Sequence, residues 1–559
     1  GGIEVIERFM MEDGAPLVSG VIKLNGYLLG SSARGLDESD AGAGAVLLSR
    51  LGIPLFNPTI AFSQSVEQWR ENPSGLGMQA AWSIAMPEFE GAIEPMVIGA
   101  LAAHAEYGRY APIPDRVERF AARVARWLAA RAKAPHERRV AFILHNNPCV
   151  GAEASVGGGA HLDTLETVSR ILGHLKTRGY DVEAPASGKA LIDTIMERKA
   201  ISEFRWTTTD EIVNRGGVLA RVDEGLYRTW FDELPHDVQE RMSAAWGEPP
   251  GRPMGGVPAA MVHRGEILVT GLSFGNAVVL AQPKRGCAGA RCDGTVCRIL
   301  HDPEVPPPHQ YVATYKWLSR EFGADMLVHV GTHGNLEFLP GKSVGMSEGC
   351  FSDIAIDTMP HLYIYNCDNP PEGTAAKRRA NAVLVYHMQT VVVPGQLYGD
   401  LEALDRLLDD YHKLAEIEPA KAHSVAHLIA EKAAGLQLFD KALTHSEVEE
   451  WIGEIHNRVT LLKNTRIPKG MHIFGDVPEG ERLSEFVHGI ARWDNGPASL
   501  RGMIKTASGG AEATWESEIG QAAEARARES VKAFIEADVP LSVSLGELGL
   551  DARRLGEIE

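Results

Sequence analysis

The stretch Asp325–Arg379, DMLVHVGTHGNLEFLPGKSVGMSEGCFSDIAIDTMPHLYIYNCDNPPEGTAAKRR, decides the fold. It opens with a short apolar run, Met326 to Val330, stopped by Gly331, which reads as a buried strand. A glycine-rich loop with His333 and Glu337 follows. A second strand-like run, His361 to Cys367, leads into Asp368-Asn369-Pro370-Pro371-Glu372-Gly373, which has the composition of a turn. A helix is expected after that turn, with Lys377, Arg378 and Arg379 in its early turns. Two strand ends thus deliver polar groups to loops, where open α/β sheets bind their ligands.

Upstream, Arg139 to Leu144 is another apolar strand, and its loop to Ala160 holds Gly151, Gly157, Gly158 and Gly159. Leu162, Leu165, Val168, Leu172 and Leu175 then line one helix face, ended by Gly179. Strand, glycine loop and helix is a phosphate-binding layout, but the spacing is not G-x-G-x-x-G, and a loop over some other ligand fits equally well. Ile267 to Phe274 and Val278 to Gln282 read as strands, Trp206 and Trp230 as core anchors, and His309 to Phe322 as a helix burying Tyr311, Tyr315, Trp317 and Leu318. Toward the N-terminus, Val21 to Leu29 and Ile53 to Phe56 read as strands. Val117, Phe120, Val124, Trp127 and Leu128 form a helical stripe whose Arg-rich opposite face is expected in solvent. Glu88 and Glu90 beside a turn read first as a solvated loop. From Leu401 onward the pattern is mainly helical.

The expected fold class is therefore α/β, with several doubly wound or Rossmann-like units and a mainly helical C-terminal region. The expected divisions are 1–135, 136–305 with the glycine loop and a Cys-rich segment, 306–400 with the central stretch, and 401–559. A chain of 559 residues has room for about three or four such domains. Its net charge of −19 argues against a general nucleic-acid or anionic-membrane binder. No apolar run approaches the ~18 residues of a membrane span. Six cysteines in this length are no disulfide framework, which points to a reducing, cytoplasmic setting.

His329, His333 and Glu337 recur every four residues, yet glycines interrupt any helix that would align them. A lone histidine is usually structural. Two with a carboxylate in a glycine loop at a strand end make a candidate site. Cys287-x4-Cys292-x4-Cys297, with His301 beyond, has the ligand types of a zinc or iron–sulphur site without a standard spacing, and loop thiols are the plain alternative. Gly341-Lys342-Ser343 mimics the end of a phosphate-binding loop, but Leu336 stands where the first glycine is required. Gly188-Lys189 is followed by Ala190 instead of a hydroxyl. ATP use would then have to come from a partner.

The run Gly331-Thr332-His333-Gly334-Asn335-Leu336-Glu337-Phe338-Leu339-Pro340-Gly341-Lys342 resembles the signature of the large subunit of cobaltochelatase and magnesium chelatase. Asn369-Pro370-Pro371-Glu372-Gly373-Thr374 with Ala376-Lys377-Arg378-Arg379 is similar to a second family motif. The likeness extends to Pro87-Glu88-Phe89-Glu90-Gly91, Phe274-Gly275-Asn276, Gln282-Pro283 and Pro308-His309-Gln310-Tyr311, and covers roughly residues 50 to 500. The three-cysteine segment is not part of that general pattern. Family members are about twice this length, so a fragment of a longer polypeptide is expected.

The resemblance implies a subunit that binds a tetrapyrrole and inserts a metal, powered by partner AAA+ ATPase subunits. Insertion must remove two pyrrole protons and strip water from a divalent ion. Glu337, His333 and His329 are the catalytic candidates, with His333 and Glu337 as ligands for the arriving metal. Lys377, Arg378 and Arg379, with Asn369 and Glu372, are candidates for the macrocycle rim. On the resemblance in the central stretch, Co2+ insertion into a corrin precursor, hydrogenobyrinic acid a,c-diamide, leads Mg2+ insertion into protoporphyrin IX; imidazole also suits cobalt better than magnesium. A non-catalytic tetrapyrrole or metal carrier and a nucleotide-dependent α/β enzyme are the competing classes.

Overall fold

The computed structural model describes the chain except residues 1, 27, 31–37, 103–108, 147–154, 203–206, 254–258, 287–298, 300, 301, 303, 333, 395–398, 416, 437–444, 465, 469, 495–497, 516 and 559. The chain divides into two compact units, Gly1–Met388 and Gln389–Glu559.

The first unit is built on a six-stranded sheet. Its strands are β1 (Val140–Leu144), β2 (Leu272–Phe274), β3 (Ala277–Ala281), β4 (Met326–Val330), β5 (His361–Asn366) and β6 (Val383–His387). Their order is β2-β3-β1-β4-β5-β6. All neighbours from β3 to β6 run parallel, and β2 is an antiparallel edge. β1 and β3 are buried along their whole length, as strands covered on both faces must be, and so they read as continuous apolar runs. The single strand expected over 267–274 is divided at Gly271. Glu266–Thr270 leaves to pair with Val218–Val222 in a separate sheet. A division at 305/306 falls inside the six-stranded sheet, because β3 and β4 both pair with β1. Of the runs expected as strands over 21–29 and 53–56, the described residues show Val21–Ile22 and Leu55–Phe56 as strands, and Thr59–Ser65 and Val97–Leu101 add further ones.

Four helices position the site: α1 (Pro114–Ala132), α2 (His309–Arg320), α3 (Phe351–Ile356) and α4 (Pro370–Ala380). Tyr311, Tyr315 and Leu318 of α2 enter one core with Ile143, Leu280, Leu327 and Trp230. Trp206 lies outside the described residues. On α1, Phe120 and Val124 pack as the stripe predicts. Its arginine face is not in solvent as expected. Arg116 pairs with Asp353 of α3 at 2.8 and 3.2 Å, and Arg123 pairs with Glu94 at 2.5 and 2.8 Å, with all four residues buried. Acidic partners far away in sequence draw these cations inward.

α4 also differs from expectation. Proline is tolerated in a first helical turn, so Pro370 and Pro371 start the helix instead of completing a turn before it. Lys377, Arg378 and Arg379 consequently occupy its last turn, where cations complement the helix dipole.

In the second unit, Asp400–Ala415, Pro419–Gly435 and His445–Asn464 share a core of Leu404, Leu408, Ile429, Ile452, Ile455 and Val459. Glu481–Ala491, Leu500–Ala507 and Glu518–Ala537 follow as further helices, the mainly helical region the sequence predicts. No described helix is long and apolar enough to cross a membrane.

Candidate functional site

The chain leaving β1 returns to the sheet at β2 and β3 on one side, whereas the chain leaving β4 returns at β5 and β6 on the other. The order reverses between β1 and β4, and the crevice beyond such a reversal is where open α/β sheets place ligands. The two loops beyond those strand ends are tied together. The His145 amide donates to Val330 O at 3.3 Å and the Thr332 amide to Gly158 O at 3.2 Å. The Ala160 amide donates to Thr332 Oγ1 at 3.0 Å. The contact needs glycine. A Cβ on Gly331, whose φ is +124°, would meet Gly158 O at 2.3 Å. One on Gly334 would lie 2.7 Å from both His145 Nε2 and Tyr363 Oη.

Glu337 sits in this loop and is only 1% exposed. Its Oε1 is 3.1 Å from the Tyr363 hydroxyl, which is 2.8 Å from His145 Nε2. Burial pushes the Glu337 carboxyl up to about 7, with the neighbouring Glu372 adding to the rise. The Tyr363 hydroxyl and Arg379 oppose it. Burial drives the Tyr363 phenol well above its ordinary value, so it stays protonated. One phenolic proton therefore serves two acceptors. With Glu337 ionised, Tyr363 donates to the carboxylate. With Glu337 protonated, the acid donates to the phenol and the phenol to His145. Sequence reasoning did not single out His145 or Tyr363. The one available signal is that His145 directly follows the buried strand β1.

His329 belongs to a second chain of hydrogen bonds. Its Nε2 is 2.9 Å from the Tyr315 hydroxyl, and its Nδ1 is 2.7 Å from His361 Nε2. His361 Nδ1 is 2.9 Å from Ala380 O. A carbonyl only accepts, so His361 carries its hydrogen on Nδ1 and accepts from His329 Nδ1–H. His329 Nε2 then accepts from Tyr315. Burial holds His329 well below its ordinary value and His361 at about 4, keeping both rings neutral. Both nitrogens of His329 are thus engaged inside the sheet. The spacing of four that groups it with His333 and Glu337 is a helical spacing, and His329 lies on a strand. Its ring lies 5.5 Å from that of Tyr363.

The loop is also pinned at β3. The Asn335 amide donates to Gln282 Oε1 at 3.1 Å, and Tyr311 donates to Asn335 Oδ1 at 2.7 Å. Gln282 Nε2 lies 3.4 Å from the Tyr315 hydroxyl, joining this group to His329.

The cations of α4 have partners. Lys377 Nζ and Arg378 Nη2 reach Glu88 Oε2 at 3.2 and 2.9 Å. Arg379 Nη2 donates to Leu339 O at 2.5 Å, bracing the Glu337 loop. Glu372 accepts from Tyr365 at 2.6 Å, and Asn369 begins the helix without a side-chain cap. Glu88 and Glu90 are not a solvated loop. Glu90 is buried, accepting from the Leu29 amide at 2.6 Å and facing Lys23 at 3.4 Å. Lys342 is no phosphate ligand in this arrangement, since its ammonium donates to Arg70 O and Asn72 O at 2.7 and 2.9 Å.

His333, Cys287, Cys292, Cys297 and His301 lie outside the described residues. Among the described residues there is no group of three or more His, Cys, Asp or Glu side chains that could hold a metal ion.

Residues 1–546 match the family model CobN/Magnesium Chelatase. An uncharacterized protein of Methanocaldococcus jannaschii is 42% identical over 507 residues, which are 88% of this chain and 40% of that one. The aerobic cobaltochelatase subunit CobN of a Sinorhizobium species is 31% identical over 511 residues, 86% of this chain and 38% of that one. Among solved structures, the catalytic subunit of cobaltochelatase from Mycobacterium tuberculosis superposes with a TM-score of 0.77 at 30% identity. That match covers 90% of this chain and 42% of the other. The chain thus spans well under half the length of these relatives.

Proposed function

The chain belongs to the CobN/magnesium chelatase family, and on that premise we propose that it is the tetrapyrrole-binding part of an ATP-dependent chelatase large subunit, inserting Co2+ into hydrogenobyrinic acid a,c-diamide. AAA+ partner subunits supply the ATP hydrolysis. The observation that carries this reading is Glu337, a buried carboxyl at a strand-order reversal, bonded through Tyr363 to His145.

Insertion exchanges two pyrrole N–H protons for one divalent ion. Glu337 takes the first proton and becomes a carboxylic acid. The acid passes a proton to Tyr363 as Tyr363 passes its own to His145 Nε2, so the phenol stays neutral throughout. The carboxylate is restored and accepts the second proton. A base whose ordinary value is raised toward 7 both accepts and releases protons near neutrality. His333, four residues before Glu337, is the ligand for the arriving metal. Lys377 and Arg378, each partly exposed beside Glu88, meet the carboxylate or amide groups of the macrocycle rim, together with Asn369 and Glu372. Arg379 and His329 act by holding the loop and the ring layer behind it.

Mg2+ insertion into protoporphyrin IX is the second reading. It draws on the carboxylate oxygens of Glu337, the donor type Mg2+ prefers. Insertion assays with both macrocycles, each with Co2+ and Mg2+ and with partner ATPases present, decide between the two. Tight macrocycle binding without insertion under every condition would instead favour a carrier. Metal and sulphide analysis of anaerobically purified protein separates a zinc or iron–sulphur site at Cys287, Cys292 and Cys297 from plain thiols.

A further inference from the structure

His423 and His427 stand one turn apart on the helix Pro419–Gly435. Residues four apart share a helix face. Ala422, Ala426, Ile429, Ala430 and Ala433 carry the buried face of the same helix, leaving His423 exposed and His427 half-buried. The two Nε2 atoms are 3.2 Å apart, and the rings are nearly perpendicular, at 87°. Two imidazole nitrogens bound to one ion at about 2.0–2.1 Å, at an angle between 90° and tetrahedral, lie about 2.9–3.4 Å from each other. The pair already has the spacing of a chelate.

We propose that His423 and His427 form a two-imidazole clamp for a divalent transition-metal ion of the Co2+, Ni2+, Cu2+ and Zn2+ class. Without metal, one Nε2–H donates to the other Nε2. On binding, that hydrogen moves to Nδ1 of its own ring, so both Nε2 lone pairs face the ion and neutral rings lose no net proton. Imidazole suits these ions, whereas Mg2+ takes oxygen ligands.

A second pair tests the assignment. His412 Nε2 lies 3.1 Å from His456 Nδ1, but those rings sit on two different helices, Asp400–Ala415 and His445–Asn464. Its spacing depends on helix packing, whereas one helix fixes His423 against His427. The clamp is therefore assigned to the single-helix pair.

The experiment is equilibrium titration of the metal-free full chain with Ni2+, Co2+ or Mg2+ alone, with helicity followed by circular dichroism. Of the Ni2+ or Co2+ that the wild type binds, one equivalent should be weakened about tenfold or more by His423→Ala and by His427→Ala, while His412→Ala leaves that equivalent unchanged. Alanine is a good helix former, so these exposed-face changes preserve the helix, and His427→Gln provides a second variant. Mg2+ at equal concentration should not compete. Unchanged Ni2+ and Co2+ isotherms in folded His423→Ala and His427→Ala would overturn the proposal. So would loss of the equivalent in His412→Ala, or competition by Mg2+.

Discussion

The Tyr363 hydroxyl lies 3.1 Å from Glu337 Oε1, and both side chains are buried. Two buried groups that titrate far apart in ordinary peptides thus share one hydrogen bond, and the phenol stabilises the ionised carboxyl. Tyr363→Phe removes that donor and cuts the link to His145. Metal insertion by the full-length protein with its partners should fall about tenfold to a hundredfold, below a full general-base loss of about 10² to 10⁴. The pH midpoint of the remaining activity should move up, because the carboxylate has lost a stabilising donor. An unchanged rate and midpoint would remove Tyr363 from the path.

Glu337 also makes stability depend on pH in a stated direction. Its folded value is raised from 4.5 to about 7. Its contribution is therefore fully present below about 4.5 and is lost as pH rises through about 7, a change of roughly 3 kcal/mol if the whole shift is expressed. Glu337→Gln has no such titration. Denaturant melts of both proteins between pH 4 and 8 should show the wild type losing ground to the variant as pH rises. A difference independent of pH would mean that the carboxyl is not raised.

Gly334→Ala drives a methyl group into the His145–Tyr363 contact, 2.7 Å from each partner atom. The strain should cost about 1–3 kcal/mol and reduce insertion together with stability. Wild-type thermal unfolding in this variant would show that the loop has more room than the geometry allows.

Asp353→Ala leaves Arg116 buried without its carboxylate. Breaking one half of a buried pair costs about 3–5 kcal/mol, and chemical denaturation measures it. Replacing both residues by apolar side chains of similar volume should restore much of the loss, since the buried cation is then gone. A single variant as stable as wild type would mean that the pair is solvated.

The sheet was legible because strands covered on both faces must be apolar throughout, and β1 and β3 announce themselves as such runs. Glu337 was legible as a candidate because it is a carboxyl in a glycine loop beyond a buried strand. Its partners were not. His145 and Tyr363 are 218 residues apart in sequence and meet only through the register of parallel strands, which local periodicity does not encode. The same limit hid the acidic partners of the α1 arginines. His329 lies on a strand, where its spacing of four from His333 sets no common face. Lys377 was set in the wrong turn because two prolines can open a helix as readily as end a chain segment.

Glu337 is proposed as the base that receives the pyrrole protons. The most direct measurement is the insertion rate of Glu337→Gln in the full-length protein with its ATPase partners, alongside its affinity for the macrocycle. Glutamine keeps the size and much of the hydrogen bonding but cannot take a proton. The expected result is a rate loss of about 10² to 10⁴ with macrocycle affinity held within a few-fold. An insertion rate within threefold of wild type would contradict it.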